Sequence, residues 1–323
     1  MARISSRQGF RLQSSRAARE IQFQSDVPEK LVTAPYVPQQ TPTYFAVHKN
    51  RYSRQQLIRD IQFQTGRKLI TYVASFGHPR GSIDKADVLG FGDLLYGLKD
   101  EDIDLLIQSP GGDIDVAEKI VYMCRSRART FRVIVPESAK SAATLIALAA
   151  DSVVMSDTSE LGPIDPQIII TSADGQPTFR PARSFLDGLE AIKIEAAKEG
   201  SLSPVYFPLL VHLDPALLDF CRKAIERSEQ FAEKWLRKSQ CKRAPKKAKR
   251  IAKALTDTER YLSHGTVIDH KEASSIGLRV EYLNSDDELW QRIWRLYCTY
   301  EIDIREEQVA KVFESEAVSL PIG

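Results

Sequence analysis

The stretch that most constrains the chain is FRVIVPESAKSAATLIALAAD, residues 131–151. A β-branched run from Phe131 to Val135 stops at Pro136, a turn of small and polar residues follows, and a compact apolar helix is expected from Ala142 to Ala150. Ser141 sits at the joint. A hydroxyl at a helix start faces unpaired backbone N–H groups and the positive end of the helix dipole, a setting that favours developing negative charge. The same position also suits a plain N-cap serine. A second joint lies upstream, Ser109-Pro110-Gly111-Gly112-Asp113, which closes one strand and opens another helix. Two such joints side by side can form an oxyanion site; alone, Gly111–Gly112 would be a tight turn.

With 323 residues, the chain has room for one large domain, or for a core of about 200 residues with additions at both ends. Cys124, Cys221, Cys241 and Cys298 stand far apart, which argues against a zinc site and fits reduced thiols in a cytosol-like compartment. His48, His78, His212, His264 and His270 show no metal-binding spacing. No apolar run approaches the ~18–20 residues that span a bilayer, and no apolar segment near the N-terminus marks a standard signal peptide. The net charge of +2 conceals two basic regions. Arg3, Arg7, Arg11, Arg16 and Arg19 precede the first acid, Glu20, and ten Lys or Arg with no acid lie between Lys234 and Lys253.

Residues 1–43 read as a basic, proline-containing flexible arm; an organellar transit peptide shares that composition. REIQFQS at 19–25 is echoed by RDIQFQT at 59–65, without a further repeat. From residue 44 onward, helices and strands alternate. A helix is expected over 52–65, a strand over 68–76, a helix over 86–98, a strand over 103–108 and a helix over 114–127. The strand and helix around Ser141 follow, then a short strand at 153–156. GFG at 90–92 lacks the preceding strand and following lysine of a phosphate loop. Alternation of this kind implies a largely parallel sheet, whose functional sites form at the carboxyl ends of strands. Residues 201–260 read as a helical insertion: Pro204–Val211 as a groove wall, Pro215–Leu236 as a long amphipathic helix, then the basic run. Residues 261–300 end in a helix with an aromatic stripe (Trp290, Trp294, Tyr297), and 301–323 read as a tail.

SPGGD followed by a helix, then a strand, SAKSAATLIALAAD, SELGPIDPQ and a late KEASSIGL resemble the ClpP/SppA-type serine peptidases of the crotonase-like fold, and within them the serine dehydrogenase proteinases. The resemblance runs from about Lys68 to Tyr282 and implies an α/β fold: a ClpP-like repeated ββα superhelix over a catalytic core at 44–200, with helical C-terminal additions. It also implies a serine endopeptidase that cleaves peptides or proteins through an acyl-enzyme, in a homo-oligomer, by a chemistry that needs no metal or organic cofactor. Ser141 would be the nucleophile, the N–H groups of Gly112 and Ala142 the oxyanion hole, and Gly111 its support. The general base stays open. ClpP-like enzymes would place a histidine near 164–166, where this chain has Asp165, a residue that could orient a partner or cap a turn. SppA-like enzymes use a lysine, for which Lys193, flanked by Ile192 and Ile194, is the first choice as a partly buried amine, with Lys198 and His264 as alternatives. Lys140 is expected to point away from the serine. Three further readings stay open at this point: a catalytically silent scaffold, a crotonase-type acyl-thioester enzyme, and nucleic-acid or anionic-membrane contact through Lys234–Lys253. The composition suits a cytoplasmic protein.

Overall fold

In the computed structural model, residues 41–171, 175–211 and 214–323 are described. The basic arm and the first copy of the near-repeat thus lie outside the described residues, apart from 41–43, where a short helix α1 (Pro42–Val47) already begins. Helix α2 (Lys49–Thr65) ends on Gly66, which adopts φ 66° as a left-handed C-cap. Strand β1 (Lys68–Ala74), helix α3 (Asp87–Leu94), strand β2 (Glu101–Gln108), helix α4 (Ile114–Arg127) and strand β3 (Ala128–Ile134) follow in order. Next come a two-residue strand β4 (Ser138–Ala139), helix α5 (Ala142–Leu148), strand β5 (Ser152–Met155) and a second two-residue strand β6 (Glu160–Leu161).

The central sheet has the order β11-β10-β1-β2-β3-β5-β9, with β10 (Lys311–Glu314) and β11 (Ser319–Ile322) from the C-terminal part of the chain. Its strands β1, β2, β3, β5 and β9 (Val280–Tyr282) run parallel. The residues of β1, β2 and β5 are buried almost without interruption, as expected where helices cover both faces. One face packs on Leu94, Ile120, Leu145, Phe231, Ile251 and Ala273 from the surrounding helices. The other packs on Ile58 and Ile61 of α2 and on Trp290, Ile293, Leu296 and Tyr300 of a C-terminal helix.

Between these core pieces an arm projects. It comprises a hairpin of β7 (Gln167–Thr171) and β8 (Pro177–Pro181), helix α6 (Ala182–Glu199), a 3-10 turn at Pro204–Tyr206 and helix α7 (Phe207–Val211). Its own small cluster joins Ile168 and Ala182 to Cys221 and Ile225 of helix α8 (Pro215–Lys238). Helix α9 (Pro245–Leu255) lays Ala248, Ile251, Ala252 and Leu255 on the core and turns Lys246, Lys247, Lys249, Arg250 and Lys253 to solvent. Helix α10 (His270–Ile276) then leads into β9.

The C-terminal part departs from the sequence reading. Helix α11 (Glu288–Glu307) runs past residue 301, and no loose tail follows. Instead β10 (Lys311–Glu314) and β11 (Ser319–Ile322) form an antiparallel hairpin that extends the sheet beside β1. The additions are therefore helical and β: all four residues of KVFE are buried, Val312 and Phe313 in the core, Lys311 and Glu314 through ion pairs with Asp84, Asp87 and Arg54. The hairpin is clamped by a buried Arg54, whose guanidinium meets Glu314 and Asp303.

Candidate active site

Two-residue strands carry the site. Ser109 bridges Ala139 in parallel, Ala139 pairs in parallel with Leu161, and Leu161 bridges Ile268 in antiparallel fashion. The bonds are regular: Lys140 N–H to Ser109 O at 3.0 Å, Gly162 N–H to Ala139 O at 3.1 Å, and Ile268 N–H to Leu161 O at 3.0 Å. Followed forward from Ser109, Ala139 and Leu161, and backward from Ile268, all four segments leave this ledge at the same end. They carry, in that order, Gly111–Gly112, Ser141, Asp165 and His264.

Ser141 has φ 51° and ψ −117°. For a residue with a Cβ this is strained backbone, costing about 1–3 kcal/mol and usually retained where it aims a side chain. Ser141 stands as N-cap of α5, yet its hydroxyl makes no capping bond. The N-cap Asp113 of α4 behaves differently, accepting from the N–H groups of Asp115 and Val116. The plain N-cap reading of Ser141 is therefore not what the geometry shows. A nucleophile held on a sharp strand-to-helix turn needs this conformation to expose its oxygen, and Ser141 is partly exposed.

Gly111 lies directly against the serine. A Cβ there would sit 2.7 Å from Ser141 Cβ and 2.7 Å from Lys140 O. Gly112, at φ 148°, has no room for a Cβ either, because it would come within 2.3 Å of Ile83 O. Ile83 clamps this loop through its backbone. Its N–H donates to Gly111 O at 2.7 Å, and its carbonyl accepts from Asp113 N–H at 2.9 Å. Among the described residues, the N–H groups of Gly112 and Ala142 donate to no other group, so both remain available to a ligand oxygen. The strands position the loops, the two glycines allow backbone to meet backbone, and α5 adds its N-terminal N–H groups.

His264 and Asp165 form a pair. His264 Nδ1 lies 2.7 Å from Asp165 Oδ1; the carboxylate is 5% exposed and the imidazole 27%. The second oxygen of Asp165 accepts from Gln167 Nε2 at 2.7 Å. A buried carboxylate thus fixes the ring through Nδ1 and leaves Nε2 as the free nitrogen. Lys140 turns away from the serine: its ammonium meets Glu160 at 2.8 Å and the carbonyl of Thr266 at 3.3 Å.

Lys193 requires a correction. It is not a partly buried amine; its side chain is 61% exposed on α6 and lies 3.5 Å from Glu190. Flanking isoleucines do not bury a helical lysine, because successive side chains point about 100° apart, and Ile194 is itself exposed. Lys198, near the end of α6, is exposed as well. The clamp by Ile83 carried no signal in the sequence. Asp165 and His264 are about a hundred positions apart, and only the ledge shows that they meet.

The profile of the ClpP-like SDH-type serine proteinases matches residues 94–313, which takes in both joints, the His264–Asp165 pair and most of β10. The chain belongs to this family. Among curated proteins, two uncharacterized proteins of Methanocaldococcus jannaschii are similar to this chain. MJ0137 is 34% identical over 183 residues, covering 57% of this chain and 54% of its own length. MJ1495 is 35% identical over 158 residues, covering 49% and 45%. The chain thus spans about half the length of the curated relatives it matches. Among solved structures, a mutant of the 1510-N membrane-bound stomatin-specific protease is similar at 15% identity and a TM-score of 0.32, covering 62% of this chain and 92% of that one. A ClpP1 mutant from Listeria monocytogenes is similar at 13% identity and a TM-score of 0.32, covering 71% and 98%. Among the described residues, no helix is long and apolar enough to cross a membrane.

Proposed function

We propose that this member of the family is a serine peptidase that works through an acyl-enzyme. The observation that carries the reading is the strained, uncapped Ser141 set against two unused N–H groups, those of Gly112 and Ala142. Ser141 Oγ would bond to the substrate carbonyl carbon as its proton passes to a base, and the oxyanion would be held by the two N–H groups. Collapse of the tetrahedral intermediate breaks the C–N bond, the amine leaves with the base's proton, and water repeats the sequence to release the acid. For the base we take His264, oriented by Asp165, over Lys193. The support is the 2.7 Å pairing, the exit of both residues on the serine's end of the ledge, and the solvation of Lys193. The Ser/Lys alternative stays in the same test.

The substrate class is a peptide or protein, on the strength of the family. A cytoplasmic setting is proposed from the four scattered cysteines, all of them free thiols. The test is labelling of the purified protein by a fluorophosphonate, alongside Ser141→Ala, His264→Ala and Lys193→Ala. Wild type is expected to label and Ser141→Ala not at all. His264→Ala should be slower by about 10²–10⁴-fold, the usual contribution of a general base, with Lys193→Ala unchanged. Loss in Lys193→Ala with retention in His264→Ala would restore the Ser/Lys dyad. A folded wild type that does not label overturns the peptidase reading.

A further inference from the structure

A second polar cluster lies behind the oxyanion loop, and the chemistry above does not use it. Lys311 of β10 is 2% exposed, and its ammonium sits 2.8 Å from Asp87 Oδ1 and 3.0 Å from Asp84 Oδ2. Asp87, at the start of α3, is fully buried. Its other oxygen accepts from the Tyr72 hydroxyl at 2.9 Å and from the backbone N–H of Asp84 at 3.0 Å. Residue 84 is therefore gripped twice, through its side chain by Lys311 and through its backbone by Asp87. The preceding residue is Ile83, whose two backbone bonds hold Gly111 and Asp113 on either side of Gly112.

We propose that Lys311, acting through Asp84 and Asp87, positions Ile83 and thereby aims the Gly112 N–H at the substrate carbonyl. A buried ion pair is a poor source of stability compared with apolar side chains of the same volume, because desolvation cancels much of the attraction. It does impose direction, since its hydrogen bonds fix where residue 84 can lie. The path from Lys311 to Gly112 is short and alternates hydrogen bonds, Lys311 to Asp84 and Ile83 to Gly111 and Asp113, with the peptide links between neighbouring residues. An oxyanion donor is effective only when preorganised, and losing one costs 10²–10³ in rate. A donor displaced by a fraction of an ångström is expected to lose part of that. Lys311 is thus a positioning residue, remote from the reacting atoms.

The inference rests on the serine peptidase reading, so its test separates the two. Lys311→Met and Asp84→Asn are compared with wild type in saturating phosphonate kinetics, and amide exchange is followed in the segments around 83 and 111–113. Asp84 is half-exposed, so Asp84→Asn decides the matter if Lys311→Met does not fold. The expected result is a maximal inactivation rate at least tenfold lower with probe binding unchanged, and faster exchange confined to those two segments. A Lys311→Met/Asp87→Asn double variant, which removes both buried charges, should melt close to wild type and remain slow. Folded variants with wild-type inactivation rates, or exchange that quickens evenly across the molecule, overturn the positioning role. If wild type itself does not label, the peptidase reading falls, and local exchange alone decides whether Lys311 holds the Gly112 loop.

Discussion

Ser141 illustrates how a single residue can be placed against its own preference. Its φ of 51° belongs to a region that residues with a Cβ seldom enter, and the cost is borne because α5, β4 and Gly111 leave the backbone no other course. Removing the Cβ should relieve that cost. Ser141→Gly and Ser141→Ala both lack the hydroxyl and should both fail to label. The glycine variant should nevertheless be the more stable of the two by about 1 kcal/mol in urea unfolding, once strain relief is set against glycine's greater unfolded-state freedom. Equal stability, or a more stable alanine variant, would show that the turn carries little strain. At this scale the sequence was legible where a residue's type is demanded by its backbone: Gly111, Gly112 and Ser141 stand out from their neighbours. It was misleading for Lys193, whose apolar neighbours belong to other sides of the helix.

Among the elements, α4 and β3 are joined by Asp151, the residue that ends the Ser141 segment. Its carboxylate receives two hydrogen bonds from Arg125, at 2.8 and 3.0 Å, and one from the Phe131 N–H at 2.9 Å. Burial works against ionisation of Asp151, but the Arg125 and Phe131 hydrogen bonds overcome it and hold the group below the usual carboxylate range. A depressed value in the folded state means stability that is complete above the unfolded-state value, about 4, and is lost as pH falls through the folded one. Asp151→Asn should cost about 1.5–3 kcal/mol at pH 7, and the gap from wild type should close in unfolding experiments below about pH 4. A gap that stays constant down to pH 3 would contradict the assignment. The strand–turn–helix units around this residue were readable because β-branched runs, Pro136 and the glycines mark their limits. The ledge was not, since strands of two residues are too short to show a period. The β10–β11 hairpin escaped for a related reason: each strand has four residues, and its burial depends on partners more than two hundred positions away.

The whole molecule presents two unequal surfaces. From the end of α8 through the following turn to α9, the basic run is mostly a solvated face, with Lys234 of α8 tied to Glu118 and Arg237 to Glu233. The arm is different. Ile169, Phe179, Ile194, Val205, Phe207 and Val211 are all more than half exposed along it. Self-association through this arm is the proposed form of the oligomer that the family resemblance implies. Sedimentation at micromolar concentration should give a mass of at least two chains, and Phe179→Asp with Phe207→Asp should reduce it to one. A monomeric wild type would refute this.

The ledge has a consequence for the order in which the chain is made. Its first three segments, with Gly112, Ser141 and Asp165, leave the ribosome well before the fourth is complete, and β10 emerges some 170 residues after the serine. At ordinary elongation rates this interval is roughly ten to thirty seconds. For about the first 120 of those residues the nascent chain carries Ser141 without His264, and for all of them without Lys311. On the proposed peptidase reading, synthesis itself would act as a timer, keeping the site incomplete while the chain is still attached to the machinery that makes proteins.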